Sequence, residues 1–309
     1  MANNLGGSVE KFTKRLDKIL ETQTCTAELN MNQDLLGELS GAGTIKIAKI
    51  AMDGLADHTR GGGFVQGGVT LDWQDYQLEF ERDREFDIDV LDDEERELMV
   101  SANVMGEFAR TKVVPEVDAI RFARLAANSG NTESAALTTG DAVESAIMTA
   151  EEAMQDAGEE LSGCILYMTA HMKTLLRQAQ PYRMGQGENP NGNFQTFDDM
   201  RIRIVPSARF YSAIDLLDGK TEGEEAGGYK KHAKVASKDG DADGVGINFM
   251  VLSPKAAAAI TKHEKLRYFA PDVNQDDEAH KWQYRLFHDL LVYENKKQLI
   301  YTHLAAASA

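Results

Sequence analysis

The clearest pattern in the chain is a run of alternating apolar and polar residues between Val69 and Val90. A repeat of two residues is typical of a β-strand that buries one face and exposes the other. The run divides into three short segments, whose apolar positions are Val69, Leu71 and Trp73, then Tyr76, Leu78 and Phe80, then Phe86, Ile88 and Val90. The sequence therefore predicts three short strands, each with one solvent-exposed face.

From Asp92 the repeat changes to steps of three or four residues, which is typical of an amphipathic helix. Acidic residues crowd its first turn, where they oppose the positive end of the helix dipole. The pattern ends at Asn128, after roughly 36 residues, which is about three times the usual helix length. Because Pro115 removes one backbone donor and clashes with the preceding turn, we expect a bend or break near residues 111–114.

A second, short amphipathic helix is predicted from Ser8 to Glu21. Its apolar face includes Phe12, Leu16 and Ile19. Polar residues 22–33 separate this helix from the next clear element, so a neighbouring subunit suits its apolar face about as well as the chain's own core does.

Between these elements lie a strand, Thr44 to Ile50, and then six glycines within residues 54–68. Glycines at this density permit bends but form no packed core, so one interpretation is a flexible surface loop. We favour a long projecting hairpin from about Asp53 to Glu85 that lies on a neighbouring subunit, because an isolated two-stranded ribbon is marginally stable in water. A phosphate-binding loop is excluded, because the stretch lacks G-x-x-x-x-G-K-[ST] and any lysine.

The second half of the chain alternates between helical and strand-like patterns, which favours a second domain with a small central sheet. Asp141 is the expected cap of a helix that ends before Gly158. The further predicted elements are a strand at Cys164–Met168, a helix at Thr169–Gln180, a loop at Gly185–Asn193, strands at Met200–Val205 and Phe210–Leu217, an exposed acidic loop at Thr221–Gly244, a strand at Ile247–Leu252, a short helix at Lys255–Thr261, and a final hairpin that turns at Glu294–Lys297.

Composition narrows the class of protein. At 309 residues the chain fits one large or two modest domains. The formal net charge of −17 favours solubility and resists adhesion to phosphate backbones, and the densest basic cluster, Lys230 to Lys234, is too short to read nucleic acid. A protein of this charge that surrounds DNA would do so as a container.

The sequence shows no pattern of a targeting signal or of a cysteine-based site. No stretch approaches 18 consecutive apolar residues, and Met1 to Gly7 lacks the regions of a signal peptide, so we expect no membrane association and synthesis in the cytoplasm. Cys25 and Cys164 are too few and too far apart for a disulfide framework or a metal site. We expect two inert thiols.

No catalytic motif is present either. The seven histidines show no ligand spacing such as H-E-x-x-H, and there is no G-x-S-x-G. Asp239, Asp241 and Asp243 match the first half of a calcium loop, but position twelve is Met250 where a glutamate is needed. We expect a solvated hairpin tip there, with no catalytic residue, cofactor or metal; a metal-dependent enzyme that uses these aspartates is the alternative from another class.

The order of features from Thr44 to Gly130 resembles the major capsid protein family of tailed bacteriophages and related prophages. The resemblance lies in a glycine-rich hairpin, an R-x-F-x-I-D strand from Arg84 to Asp89, an acidic helix start, and the motif VPEVDAIRF at residues 114–122. Residues 289–304 match less distinctly, and the middle of the chain matches only in layout.

This resemblance implies an α+β fold, divided into an N-terminal arm (1–43), an extended hairpin loop with flanking strands (44–91), a peripheral domain with a long kinked spine helix (92–162), an axial αβ domain (163–261), and C-terminal strands that return to the peripheral domain (262–309). It also implies self-assembly as pentamers and hexamers into an icosahedral shell around double-stranded DNA, in a bacterial cytoplasm, with a separate scaffolding protein and a portal. An encapsulin-type nanocompartment shares this fold and stays open as an alternative.

Residue hypotheses follow from this interpretation. We expect Phe64, Trp73 and Tyr76 to be the apolar anchors of the hairpin on a neighbouring subunit. Arg60, Arg82 and Arg84 would pair with that subunit's acidic surface, and Phe12, Leu16 and Ile19 would anchor the arm. Pro115 would let the spine helix flex between an immature and an expanded shell. Some relatives crosslink their shells through a lysine in the hairpin loop, but no lysine lies between Lys49 and Lys112.

Overall fold

The computed structural model describes residues 23–30, 44–58, 60, 64–89, 105–179, 184–189, 192–234, 242–274 and 279–306. These residues form an α+β fold. The helices are a long helix at 105–127, whose last part is α1 (Val114–Ala127), then α2 (Gly140–Asp156) and α3 (Ala170–Ala179). The strands are β1 (Thr44–Met52), β2 (Val69–Gln77), β3 (Phe80–Asp89), β4 (Asn131–Ser134), β5 (Ile165–Met168), β6 (Met184–Asn189), β7 (Gly192–Phe197), β8 (Met200–Ile204), β9 (Ile214–Leu217), β10 (Gly228–Lys231), β11 (Ile247–Leu252), β12 (Ala257–Phe269), β13 (Ala279–Val292) and β14 (Ile300–Leu304).

A seven-stranded sheet, in the order β4-β14-β11-β5-β8-β7-β6, forms the centre of the larger core. Its β5 strand is buried on both faces, because Leu166 and Met168 pack towards α2 and α3 while Ile165 and Tyr167 pack towards α1. Burial on both faces explains why this strand is a continuous apolar run rather than an alternating one. The sheet therefore lies between two layers of helices.

A separate three-stranded sheet, in the order β12-β13-β3, supports the long helix. Leu266, Tyr284 and Leu286 of this sheet pack against the helix residues Met105 and Val113. The long helix consequently contacts the small sheet with its first half and the seven-stranded sheet with its second half.

The β1 and β2 strands form a two-stranded antiparallel hairpin, with Thr44 opposite Gln77 and Met52 opposite Val69. The predicted strand at Thr44–Ile50 is confirmed, but the predicted hairpin bounds of Asp53 to Glu85 are wrong. The second alternating segment is divided, since Tyr76 lies in β2 and Phe80 begins β3, and β3 pairs with β13 instead. Alternation shows that residues form a strand, but it does not show which partner the strand has.

Three further predictions are wrong for related reasons. The expected helix at Lys255–Thr261 lies instead across the start of β12, because pairing with β13 overrides the helix propensity of its alanines. The expected loop at Gly185–Asn193 belongs to the paired strands β6 and β7. The last two strands form no hairpin, because a 3₁₀ segment at Glu294–Leu299 carries the chain from β13 to β14 in a different sheet.

The cap of α2 also differs from the prediction. Thr139, not Asp141, is the N-cap, and its hydroxyl accepts a hydrogen bond from the Ala142 N–H at 3.3 Å. Asp141 lies two positions after Thr139 and inside the helix, whereas Thr139 has the extended backbone that a cap needs. Gly158 follows the helix with φ of +80°, as the sequence predicts for a C-terminal glycine.

The long helix is irregular where Pro115 predicts it. Residues Ala109–Val113 form a π-helical turn directly before α1, and Pro115 lies in the first turn of α1. Because proline has no N–H, Pro115 cannot donate the usual helical hydrogen bond to the Thr111 carbonyl. In the same turn, the Thr111 hydroxyl donates to the Glu107 carbonyl at 2.7 Å. The predicted beginning of this helix, at residues 92–104, lies outside the described residues. Of the helices that are described, none has the length and apolar character needed to span a membrane.

Candidate functional site

The far end of the β1–β2 hairpin exposes a cluster of large apolar side chains. Leu55 is fully exposed, Phe64 is 94% exposed and Met52 is 72% exposed. We define the tip cluster as Met52, Leu55, Phe64, Val65, Val69 and Leu71. Elsewhere in the described part of the chain, Met148, Ile204 and Val273 are the other exposed large apolar residues. Met52 lies opposite Val69 in the strand register, and large apolar side chains exposed together at the end of a hairpin favour an interaction surface.

Two hydrogen bonds between Asp53 and Gly68 close the loop that carries this cluster. The Asp53 carboxylate accepts a hydrogen bond from the Gly68 N–H at 2.6 Å, and the Asp53 N–H donates to the Gly68 carbonyl at 3.2 Å. Within the loop, the ring centroids of His58 and Phe64 lie 5.6 Å apart. The hairpin therefore ends in a closed loop whose apolar side chains are exposed to solvent.

The opposite end of the hairpin is fixed to its own chain. The Tyr76 hydroxyl donates to Asp289 Oδ2 at 3.1 Å and to the Leu290 carbonyl at 3.2 Å. The Glu79 N–H donates to the same carboxylate at 3.1 Å, and Leu78 is buried in an apolar cluster with Ile260 and Leu291. We call Tyr76, Leu78, Glu79 and Asp289 the hairpin root.

The electrostatics of the root keep it hydrogen-bonded. Burial and the nearby Asp289 raise the pKa of the Tyr76 hydroxyl, which therefore stays a donor at neutral pH. Burial also raises the pKa of Asp289, while the Leu290 N–H and the Arg124 guanidinium act in the opposite direction. Arg124 of α1 pairs with Glu79, and its guanidinium carbon lies 4.9 Å from the centroid of the Phe80 ring. The root is thus joined directly to the long helix.

Arg82 and Arg84 have partners within their own chain. Arg82 Nε donates to Glu116 at 2.6 Å, and its terminal NH2 donates to the Leu217 carbonyl at 2.8 Å. Arg84 donates to the Glu225 carbonyl at 3.0 Å. The sequence predicts that both arginines contact a neighbouring subunit, because the predicted hairpin extends to Glu85. Since β3 lies in the three-stranded sheet, we place them in the fold of the subunit itself.

The other predicted contact residues are distributed unevenly. Phe64 lies in the tip cluster, Arg60 is exposed nearby, and Tyr76 belongs to the root. Trp73 lies in β2 opposite Ala48. Phe12, Leu16 and Ile19 lie outside the described residues.

Only part of the candidate metal loop is described. Asp239 and Asp241 lie outside the described residues, and the Asp243 carboxylate accepts a hydrogen bond from the Lys234 N–H at 2.8 Å. Across the parts of the chain that are described, no group of three or more His, Cys, Asp or Glu side chains is placed to bind a metal ion.

Sequence reasoning missed a second site, at which residues 23–30 are fixed to α1. The Asp118 carboxylate is fully buried and accepts hydrogen bonds from the Cys25 N–H at 3.0 Å and the Thr26 hydroxyl at 3.0 Å. Arg209 pairs with it at 3.1 Å, and Arg121 donates to the Thr26 hydroxyl at 2.9 Å. Burial lowers the pKa of Arg121 to about 10, so this guanidinium stays charged at neutral pH. The signal in the sequence was that Asp118 and Arg121 are charged although their neighbours in the motif VPEVDAIRF are mostly apolar.

Glu28 and Leu29 complete this attachment, which we call the arm anchor. Glu28 Oε1 lies 2.6 Å from terminal nitrogens of both Arg201 and Arg203 in β8. Leu29 is buried in the core between α1 and the seven-stranded sheet. The chain that precedes residue 23 therefore starts from a fixed point on the subunit.

Comparisons with known proteins identify the fold. No protein-family model matches the sequence, and no curated protein matches it. Among solved structures, the capsid structure of the Cyanophage P-SCSP1u has a TM-score of 0.59 at 13% identity, and the match covers 87% of this chain and 85% of that chain. A structure from Mycobacterium phage Che8 has a TM-score of 0.57 at 16% identity, with 91% of each chain covered. The mature capsid of bacteriophage PhiM1 has a TM-score of 0.56 at 13% identity, with 87% of this chain and 83% of that chain covered. At these identities the likeness concerns the fold alone.

Proposed function

We propose that this chain, which has the fold of these phage capsid proteins, is a shell-forming major capsid protein. Copies would assemble as pentamers and hexamers into the icosahedral head that encloses double-stranded DNA. The tip cluster is the observation that carries this proposal. It lies at the end of a two-stranded sheet that pairs with no third strand among the described residues, so a neighbouring copy is the surface that would bury it.

The energetic argument rests on repetition. Burying one Leu or Phe side chain completely contributes about 1.5–3 kcal/mol, and the tip cluster offers six large apolar side chains per subunit. A single contact of this size gives weak association once the loss of translational and rotational freedom is subtracted. In a closed shell every copy both donates and receives the contact, so the assembly is stable although each pair is weak.

The arm anchor supports the same function. It fixes residues 23–30, so that the preceding residues, with Phe12, Leu16 and Ile19, would reach an adjacent copy from a defined starting point. Arg60, next to the tip, would pair with the acidic surface of that copy. Both are proposals about subunit contacts, and each increases the area that one copy buries on another.

The π-helical turn before Pro115 supplies a place at which the long helix would bend. We propose that the two ends of the helix change their relative angle here when an immature shell expands. Comparison of the helix in particles before and after expansion tests this directly, and identical geometry around Ala109–Val113 in both states would contradict it.

The partners of this protein follow from its charge and proposed role. With a net charge of −17, the shell would enclose DNA without reading its sequence. A separate scaffolding protein and a portal would direct assembly in the bacterial cytoplasm, and the finished protein would reside in the virion.

Electron microscopy of the purified protein tests the function. We expect closed particles from the unaltered chain, and the double variant Leu55→Ser/Phe64→Ser should remain unassembled while keeping its circular dichroism spectrum. Val273→Ser is the matched control, because it removes an apolar side chain that is 60% exposed outside the hairpin. Particles from the double variant at the normal yield, or an unaltered chain that stays monomeric at high concentration, would contradict the proposal. Protected DNA inside particles from infected cells distinguishes a phage head from a nanocompartment that holds enzymes.

A further inference from the structure

A cleft of about 730 Å³ opens between β3, the π-helical turn and the β9–β10 pair. Its wall is about half apolar, and the aromatic and aliphatic residues that line it include Phe86, Phe108, Val117, Tyr284 and Leu286. Two of these rings are in edge contact, since the centroids of Phe108 and Tyr284 lie 5.8 Å apart. The wall is therefore a packed, pre-formed surface that can receive an apolar side chain.

The rim of this cleft is basic in an acidic protein. Six Lys and Arg residues line the cleft against four Asp and Glu residues, whereas the whole chain has 33 of the former and 50 of the latter. Lys112, Lys220 and Lys231 on the rim are exposed, and no ion pair to any of them is found within the described residues. We call this feature the basic cleft. An occupant that carries carboxylates would complement it.

His288 adds a buried polar group to the cleft wall. It is 1% exposed, and its Nδ1 has no hydrogen-bond partner among the described residues. Burial and the positive charges of Arg121 and Arg82 lower its pKa to about 3, so the imidazole is neutral at pH 7. A buried polar atom without a partner is costly, and an incoming polar group would relieve that cost.

The outer face of α2 has the complementary chemistry. From Leu125 to Met172 the sequence contains eight Asp and Glu residues and no Lys or Arg. Met148, Glu152 and Asp156 follow one another at steps of four residues, which places them in one stripe along the helix. Glu152 and Asp156 are exposed, and Met148 is 43% exposed although it is large and apolar. The stripe therefore combines one apolar anchor with carboxylates.

We propose that the acidic face of α2 in one copy of this chain docks into the basic cleft of a second copy. Met148 would contact the apolar wall, and Glu152 and Asp156 would lie near Lys112 and Lys231 on the rim. A flexible methionine adapts well to such a wall. A nucleic-acid duplex fits less well, because its charged backbone offers nothing to the aromatic residues inside the cleft.

The two surfaces occur on different elements of the subunit, which determines the kind of assembly. The α2 helix packs against α3 and β14, neither of which lines the cleft. A contact between two unlike surfaces is heterologous, and repetition of it closes into a ring when the rotation per subunit divides the circle. This inference rests on the proposed function, because it names one contact that would hold a ring of five or six copies together.

Reciprocal charge reversal tests the contact. We define the cleft variant as Lys112→Glu/Lys231→Glu and the helix variant as Glu152→Lys/Asp156→Lys. Each alone should lower the yield of particles by about tenfold, because like charges then face each other across the contact. The chain that carries all four substitutions should regain most of the yield. Lys265→Glu, an exposed lysine of β12 that does not line the cleft, is the control and should assemble normally.

Mixing the two double variants gives a readout that needs no shell. Each variant alone should sediment as a monomer at low salt, whereas the mixture should associate, because the reversed charges complement each other between the two chains. If the mixture associates but the unaltered chain forms no particles, the result would support this contact and contradict the shell function. The contact would be overturned, and the shell function would still stand, if the unaltered chain forms particles and the four-fold variant shows no recovery. The same conclusion would follow if the unaltered chain forms particles and the cleft variant assembles with normal yield.

Discussion

The two ends of the β1–β2 hairpin are built from the same two strands, yet their surroundings are opposite. At the root, Leu78 is buried and Tyr76 is hydrogen-bonded to Asp289 of β13. At the tip, Leu55 and Phe64 are exposed almost completely. The comparison shows that one end of the hairpin is stabilised by its own subunit, whereas the other end contacts little in the part of the subunit that the structure describes. The root should therefore determine the stability of the subunit, and the tip should determine its association.

The largest expected effect is at Leu78. Replacing this buried residue by alanine removes apolar contacts and leaves a cavity, so Leu78→Ala should lower the free energy of unfolding by about 3 kcal/mol. Urea unfolding of the unassembled subunit measures it. Leu71→Ala, a substitution of the same type at an exposed position of β2, is the control and should change stability little. Equal effects of the two substitutions would remove the contrast between root and tip.

The second largest effect is expected on acidification, through His288 of β13, which lies opposite Phe80 and next to the root residue Asp289. Its pKa is about 3 in the folded chain, below the ordinary value of 6.5, so below pH 6.5 the unfolded chain binds the proton more readily than the folded chain does. The contribution of this group to the free energy of unfolding is complete above pH 6.5 and is lost as the pH falls towards 3. At pH 5 the loss should be about 2 kcal/mol.

Substitution of His288 isolates this effect. In His288→Gln the decrease in stability between pH 6.5 and pH 5 should become smaller, because the titrating group is gone. His171→Gln, at an exposed position of α3, should keep the decrease of the unaltered chain. Thermal unfolding across this pH range gives the comparison, and identical pH profiles for His288→Gln and the unaltered chain would show that the group does not titrate as expected.

A smaller effect is expected at Tyr76. In Tyr76→Phe the ring remains but the hydroxyl is lost, and with it the hydrogen bonds to Asp289 and to the Leu290 carbonyl. The free energy of unfolding should fall by about 1 kcal/mol, the usual net contribution of a hydrogen bond. Particle assembly at neutral pH should be retained. A stability equal to that of the unaltered chain would mean that water replaces the hydroxyl at Asp289.

The smallest effect on subunit stability is expected at the tip. Phe64→Ser should change the free energy of unfolding by less than about 0.5 kcal/mol, because the side chain is 94% exposed in the isolated subunit. The measurement is urea unfolding at a protein concentration below that needed for association. A clear loss of stability in the dilute subunit would show that the tip packs on its own chain, and it would weaken the argument for a neighbouring copy.

Local features of the candidate site were predictable from the sequence. The alternation at residues 69–77 gave the strand, and Pro115 gave the position of the irregular turn, because both effects act over a few residues. The intrachain partners of Arg82 and Arg84 were not predictable, because alternation shows that β3 is a strand but not that it pairs with β13. Asp118 was read as part of a helix motif, because its contacts with Cys25 and Thr26 join residues that are far apart in the sequence.

The sequence by itself determined the periodic elements, the acidic character of the chain, and the order of features that resembles the capsid family. Periodicity and charge are properties of neighbouring residues, so they can be read without coordinates. Only the tertiary structure decided that the hairpin consists of β1 and β2, that its root is joined to Arg124 through Glu79, and that its tip is exposed among the residues that the structure describes. Those facts depend on which distant segments pack together, and burial is decided by packing rather than by the local sequence.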